Sequence, residues 1–277
     1  MGTPFINRLE PSNLDGYDRL KPHDQQDPSV PRTFMDAMEV REAVFVEEQG
    51  VPLEFEKDKD DPRSIHWVIY ASSRRVVEPE VKDPETGEQI QPRRSETRSV
   101  PIGTLRVVPF PHPPHPQPGG RYVDNVLQNE EVSTLTPKQE DRLTSRLPYG
   151  IDPPTTHHDG KEAYVKVGRL AVVKEYRGHH IAGQLWAAAR DWLVDHPHFF
   201  NPSVSELGLD ALRAENGGEV PRWNGLVCVH AQETVAPLWR KWGFQEDDAM
   251  GKWWEEGIPH VGMFQRLPVR SGTVASV

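Results

Sequence analysis

The stretch Tyr164 to His196, YVKVGRLAVVKEYRGHHIAGQLWAAARDWLVDH, has the residue types and spacing of an anion site. Tyr164, Val165, Val167, Leu170, Ala171, Val172 and Val173 are strand formers or small apolar residues, and the run stops at Lys174-Glu175. From Ile181 on, Leu185, Trp186, Ala188, Ala189, Trp192 and Leu193 recur at three- and four-residue spacing, which predicts a helix. Between them lies the turn Tyr176-Arg177-Gly178-His179-His180. A strand that feeds a tight turn and a helix start leaves several backbone N–H groups without helical acceptors at one spot. The helix dipole adds partial positive charge there, so a phosphate or pyrophosphate suits the site. Neither a P-loop nor a G-x-G-x-x-G fingerprint is present.

Other chemistry-bearing residues are sparser. Glu47, Glu48, Glu54, Glu56, Asp58, Asp60 and Asp61 crowd one short region, either a solvated acidic loop or a wall that attracts a cation. Cys228 and His230 share a face of the expected strand GLVCVH. His112 and His115 stand among prolines with no Cys or carboxylate partner at ligand spacing, and His157-His158-Asp159 reads as surface, so no metal is expected.

LAVVKEYRGHHIAGQL resembles the acyl-CoA signature of the GNAT superfamily of N-acyltransferases, Arg/Gln-x-x-Gly-x-Gly/Ala after a strand. Arg177 fills the first position and Ala182 the last, while His180 stands where the middle glycine is expected. Ala231-Gln232 through Pro237-Leu238-Trp239-Arg240-Lys241-Trp242-Gly243-Phe244 resembles the family's later A-x-x-F-Y-x-x-x-G-F helix. Arg41 to Gln49 with Pro52, and Glu255-Glu256-Gly257-Ile258-Pro259-His260-Val261-Gly262-Met263, are similar to the ElaA-like branch.

The resemblance implies an α/β GNAT fold: a mixed, strongly twisted central sheet flanked by helices, here with Pro-rich loop insertions. It implies transfer of an acetyl group from acetyl-CoA to a primary amine by direct attack. Leu170, Ala171 and Val172 would hold the pantetheine arm by strand-like hydrogen bonds. Arg177, Gly178, His179, His180, Ile181, Ala182 and Gly183 would hold the pyrophosphate, with Gln232 where a cofactor-touching Asn is common. An N–H of the 170–172 strand would polarise the thioester carbonyl. Glu48 and His230 are the candidate bases for the amine. Trp239 stands where the family has a tyrosine that protonates the thiolate; an indole can donate a hydrogen bond or pack, but supplies no proton. An acyl-Cys228 route is conceivable, a buried core thiol the simpler reading. His260 is a candidate for lining the substrate side. The alternative reading is an acyl-CoA-binding regulatory or interaction module without catalysis.

Composition bounds these readings. The chain has 277 residues, 36% hydrophobic, with 27 prolines, which fits one acyltransferase domain with insertions near 73–100, 111–163 and 197–224. A net charge of −10 argues against nucleic acid and anionic membranes as partners, and suggests a small, cationic acceptor. One cysteine, no apolar run of membrane-spanning length and no signal-peptide core make a cytoplasmic protein the expectation; a homodimer stays possible.

In chain order, Phe5 to Leu9 suits a first strand and 11–31 a loop. Thr33 suits the cap of a helix from Phe34 to about Gln49. Strands are expected at His66–Ala71, Pro101–Phe110 and Gly225–His230, with closing strands from Phe244 and over Gly262–Leu267. Residues 73–100 read as a charged loop, and the prolines of 111–120 forbid regular structure. Helices are expected at about 136–147, 204–214 and from Thr234 to Trp242.

Overall fold

A computed structural model of the chain describes residues 5–82, 84, 86, 89–128, 153–201 and 222–269. The helices expected at 136–147 and 204–214 lie outside these residues. The chain forms two compact units: one of residues 1–57, 66–105 and 169–186, the other of 58–65, 106–168 and 187–277.

In the first unit the strand order is β1 (Phe5–Leu9), β2 (Ile65–Glu78), β5 (Arg94–Val108) as far as Leu105, and the part of β8 (Val165–Val172) from Arg169 on. β1 runs antiparallel to β2, with Phe5 opposite Tyr70 and Leu9 opposite His66. Helix α1 (Arg32–Arg41) lays Phe34, Ala37, Met38 and Arg41 inward at three- and four-residue spacing. Phe34 and Met38 pack with Leu14, Tyr17 and Val30, while Ala37 packs with Val68 and Tyr70. The helix starts two residues before the expected point, with Pro31 at its cap and Thr33 inside the first turn. Past Arg41 it widens into a π-helical segment, Glu42–Glu48, and then the short α2 (Leu53–Glu56) follows.

Residues 73–100 depart from the loop expectation. β2 runs on to Glu78, β3 (Val81–Lys82) pairs β4 (Gln89–Gln91), and β5 begins at Arg94. The outer half of β5 is exposed and the inner half, Pro101–Val108, is buried throughout. An exposed ribbon has no core side, so its charged residues hide the two-residue alternation that marks a strand.

In the second unit the order is β8, β9 (Leu226–Gln232), β12 (Ile258–Arg266), β11 (Lys252–Glu255), β6 (Arg121–Val123) and β7 (Val126–Leu127), with β10 (Gln245–Glu246) also on β12. β8 pairs β9 in parallel and β9 pairs β12 antiparallel, so the sheet is mixed. Its core joins Tyr164, Leu226, Cys228, Met250, Trp253 and Phe264. Helix α3 (Ile181–Asp195) follows β8, and α4 (Ala236–Lys241) follows β9. Among the described residues no helix is long and apolar enough to cross a membrane.

Candidate functional site

The strand–turn–helix of the first unit forms as its sequence implies. β8 keeps register with β9 only over Val165–Val167, and Arg169 then takes a left-handed φ of 49°. Leu170, Ala171 and Val172 run on beyond that ladder. Beside them, the Val173 N–H donates to the Ile102 carbonyl at 3.0 Å. Gly103 lies close against this strand: a Cβ there would stand 3.1 Å from the Ala171 carbonyl oxygen, Ile69 and Leu185. Ala171 itself packs with Val40 and Val44 of the segment that begins in α1.

A single 3₁₀ turn, Lys174–Tyr176, leads to Arg177. Gly178 has φ 79° and His180 φ 60°. His180 thus occupies a backbone region that suits glycine, which explains why the resemblance expects glycine there. The Gln184 N–H donates to the His180 carbonyl at 3.1 Å, so the N–H groups of Ile181, Ala182 and Gly183 come before this donor, in the first turn of α3. Ile181 is buried, which fixes the helix start. His179 and His180 are exposed, with a ring nitrogen of His179 2.9 Å from the Arg177 carbonyl. A Cβ at Gly178 would meet nothing within 4 Å, so what the position asks of glycine is the turn's backbone angle.

Arg177 is aimed by two contacts. Its Nε donates to the Val172 carbonyl at 2.9 Å, and its Nη2 lies 2.8 Å from Glu48 Oε1. The structure therefore brings together two residues expected in different roles, with Glu48 holding the arginine at the turn.

Four other acidic residues of 47–61 are also engaged. In the first unit Glu56 Oε1 is 2.6 Å from Arg41 Nε and 3.1 Å from Arg169 Nε. In the second unit Arg106 Nη1 is 2.7 Å from both Asp58 and Asp61, and Arg63 Nε donates to Asp60 at 2.9 Å. These pairs, with Glu48–Arg177, leave Glu47 and Glu54 outside them, so five of the seven carboxylates are engaged by arginines within their own units.

The remaining candidates lie in the second unit. His230 projects from β9, and its Nδ1 is 3.2 Å from Glu255 Oε1. Trp253 Nε1 donates to the same oxygen at 2.8 Å. His230 Nε2 is buried with no hydrogen-bond partner among the described residues. Burial pushes the His230 pKa down, while contact with His230 and Trp253 holds the Glu255 carboxyl well below the usual range. Cys228 is fully buried on the same face of β9. Trp239, on α4, is 3% exposed and meets Trp242 and Phe244 edge to face at 5.1 and 5.0 Å. That cage favours packing for its role. Gln232 ends β9 opposite His260, which is itself buried with Nδ1 2.8 Å from the Ile258 carbonyl.

The sequence leaves His112 and His115 without partners and reads His158 as surface, but His158 is buried and the fold assembles the three. His112 stacks on Tyr164 at 4.5 Å, and its Nε2 lies 3.0 Å from the Tyr164 carbonyl. His115 stacks on the same ring at 5.3 Å and pairs with His158 at 3.1 Å. Burial holds the His115 pKa at about 3 and that of His112 well below the usual imidazole value. The apolar core around Tyr164, unseen in the local sequence, is what keeps these rings neutral.

No protein-family model matches the chain, and no curated protein matches it. Among solved structures it is similar to a Lactobacillus plantarum protein described as an N-acetyltransferase, at 19% identity and TM-score 0.46 over 96% of this chain and 99% of that one. It is similar to Escherichia coli ElaA at 14% identity and TM-score 0.41, over 95% of this chain and 100% of that one. A third similarity is to an acyl-CoA N-acyltransferase of Pseudomonas aeruginosa, at 14% identity and TM-score 0.40, over 95% of this chain and 99% of that one.

Proposed function

We propose that the protein is an acyl-CoA-dependent N-acyltransferase whose first unit binds the CoA pyrophosphate at the 177–183 turn. One observation carries this reading. Arg177, fixed by Glu48 and the Val172 carbonyl, stands beside a left-handed turn whose helix offers the N–H groups of Ile181, Ala182 and Gly183. Leu170–Val172, outside the β9 ladder, supply the backbone edge along which an extended pantetheine arm would hydrogen-bond.

The acyl group we propose is acetyl, from acetyl-CoA, and the acceptor is a primary amine. With five of its seven carboxylates in arginine pairs, the 47–61 stretch gives no separate ground for a cationic acceptor. Glu48 serves the cofactor side by holding Arg177. The free-base fraction of an ordinary primary amine, about one part in a thousand at pH 7.4, attacks the thioester and its proton passes to water. The CoA thiol leaves as a thiolate, so Trp239 need supply no proton.

Isothermal calorimetry with CoA tests the placement. Gly178→Asn keeps a residue that tolerates positive φ, while Gly178→Asp adds a charge of nearly the same shape. CoA affinity should fall at least tenfold, about 1.4 kcal/mol, from the Asn to the Asp variant. Equal affinities would refute the site. Thiol release from acetyl-CoA with a panel of amines then tests turnover, and CoA binding without thiol release would favour the non-catalytic module.

A further inference from the structure

We propose that His115, Cys228 and His230 bind a zinc-class divalent cation that ties the proline-rich segment 111–120 to strand β9. One ligand atom from each of the three residues lies within 4.8 Å of the other two. Cys228 is fully buried and His115 is 7% exposed. All three belong to the second unit, whereas the turn assigned to CoA belongs to the first.

Hydrogen bonding on the far side of each ring sets the lone pairs. A carboxylate can only accept, so in neutral His230 the proton sits on Nδ1, 3.2 Å from Glu255, and the lone pair sits on the buried Nε2. His158 Nε2 lies 2.8 Å from the Glu162 carbonyl, which also can only accept. In the neutral tautomer its Nδ1 therefore accepts from His115 Nε2 at 3.1 Å, and the lone pair of His115 sits on Nδ1. A carboxylate behind one imidazole and a hydrogen-bonded ring behind another are the outer contacts that orient metal-binding histidines.

Two imidazole nitrogens and a thiolate select a borderline-soft cation, and zinc in tetrahedral geometry takes this set with one further ligand. Binding displaces the thiol proton of Cys228 to solvent. The thiolate and the Glu255 carboxylate then balance the two positive charges, so the buried site is neutral as a whole. His115 and Cys228 are remote in sequence, and the metal would bridge an insertion to the core.

Cobalt(II) titration of the chelator-treated full-length protein tests this. Cys228 is the one cysteine in the chain, so thiolate-to-cobalt charge transfer in the near ultraviolet can arise from no other residue. The expected result is one cobalt per chain, that absorption together with intense tetrahedral visible bands, and their loss on adding zinc. Cys228→Ser should abolish the charge-transfer band, and His230→Gln should weaken cobalt binding at least tenfold. Zinc should raise the melting temperature of the wild-type chain and not that of Cys228→Ser. Cobalt bound only weakly by surface histidines, without a thiolate band in the wild-type protein, would overturn the proposal. That readout needs no variant to fold and no acyl transfer to occur, so it is independent of the function proposed above.

Discussion

Replacing Glu56 by Gln should be among the most costly single changes in the first unit. Arg41 is fully buried and Glu56 is 2% exposed, so neither charge reaches water. Glu56 Oε1 is 2.6 Å from Arg41 Nε and 3.1 Å from Arg169 Nε, and Arg41 also donates to the Glu56 backbone carbonyl. Glutamine keeps the shape and one acceptor oxygen but removes the charge, leaving the Arg41 guanidinium buried without its counter-ion. Breaking such a pair costs about 3–5 kcal/mol. Arg169 is partly exposed and recovers hydration, so its share should be small. The full cost is therefore expected from Arg41, at about 3 kcal/mol or more. Equilibrium denaturation by urea, followed by circular dichroism, measures it. Arg41→Met combined with Glu56→Met removes both charges and should recover most of the loss, because a buried pair gains little over apolar side chains of similar volume. A Glu56→Gln protein within about 0.5 kcal/mol of wild type, the usual range for a surface change, would refute the reasoning.

Three further predictions use other parts of the chain. His180→Gly should stabilise the protein by about 0.5–1 kcal/mol, since relief of a left-handed φ outweighs the added freedom of glycine in the unfolded chain; destabilisation in the same urea assay would show that the ring holds the turn. Gly225→Ala should cost at least about 2 kcal/mol, because Gly225 has φ 87° and an added Cβ would lie 2.4 Å from the Leu267 carbonyl oxygen; a neutral effect would mean that the turn opens freely. His23, 2.7 Å from Glu42, has its pKa raised by that hydrogen bond, so its contribution is complete below about pH 6.5 and is lost as pH rises through the raised value. Stability of the wild type should fall across that window relative to His23→Gln, and identical pH profiles for the two would show that the contact does not persist in solution.

The central strand, turn and helix were legible because each has a period or a punctuation of its own. β8 is an apolar run, α3 repeats at helical spacing, and Gly178 marks the turn between them. Left-handed His180 could be suspected only because a resemblance placed glycine at that position. The outer extensions of β2 and β5 were not legible, since Arg94–Ser99 of β5 has no buried face to impose alternation. Nor was the widening of α1 into a π-helical segment, because an apolar stripe does not announce an added residue per turn. The partners of the acidic residues 47–61 were hidden for a different reason. Arg41, Arg63, Arg106, Arg169 and Arg177 meet them through the fold, and charge counted along the chain could not foresee that. The same applies to His115 and Cys228, which local spacing leaves apart and tertiary structure joins.

The segment 111–128 also shapes how this sheet ends. β6 adds to β11 in parallel, with Arg121 opposite Trp254 and Tyr122 opposite Glu255. It is tied down by the Trp254 N–H to the Gly120 carbonyl at 2.9 Å, the Glu256 N–H to the Tyr122 carbonyl at 3.0 Å, and Arg121 over the Trp254 ring at 5.2 Å. Among the described residues β7 then contributes the last strand, of two residues. Without this insertion, β11 would present its open backbone to any passing extended chain. With it, the sheet of the described residues finishes in a strand of two residues, a short edge of the kind that offers little template for another chain.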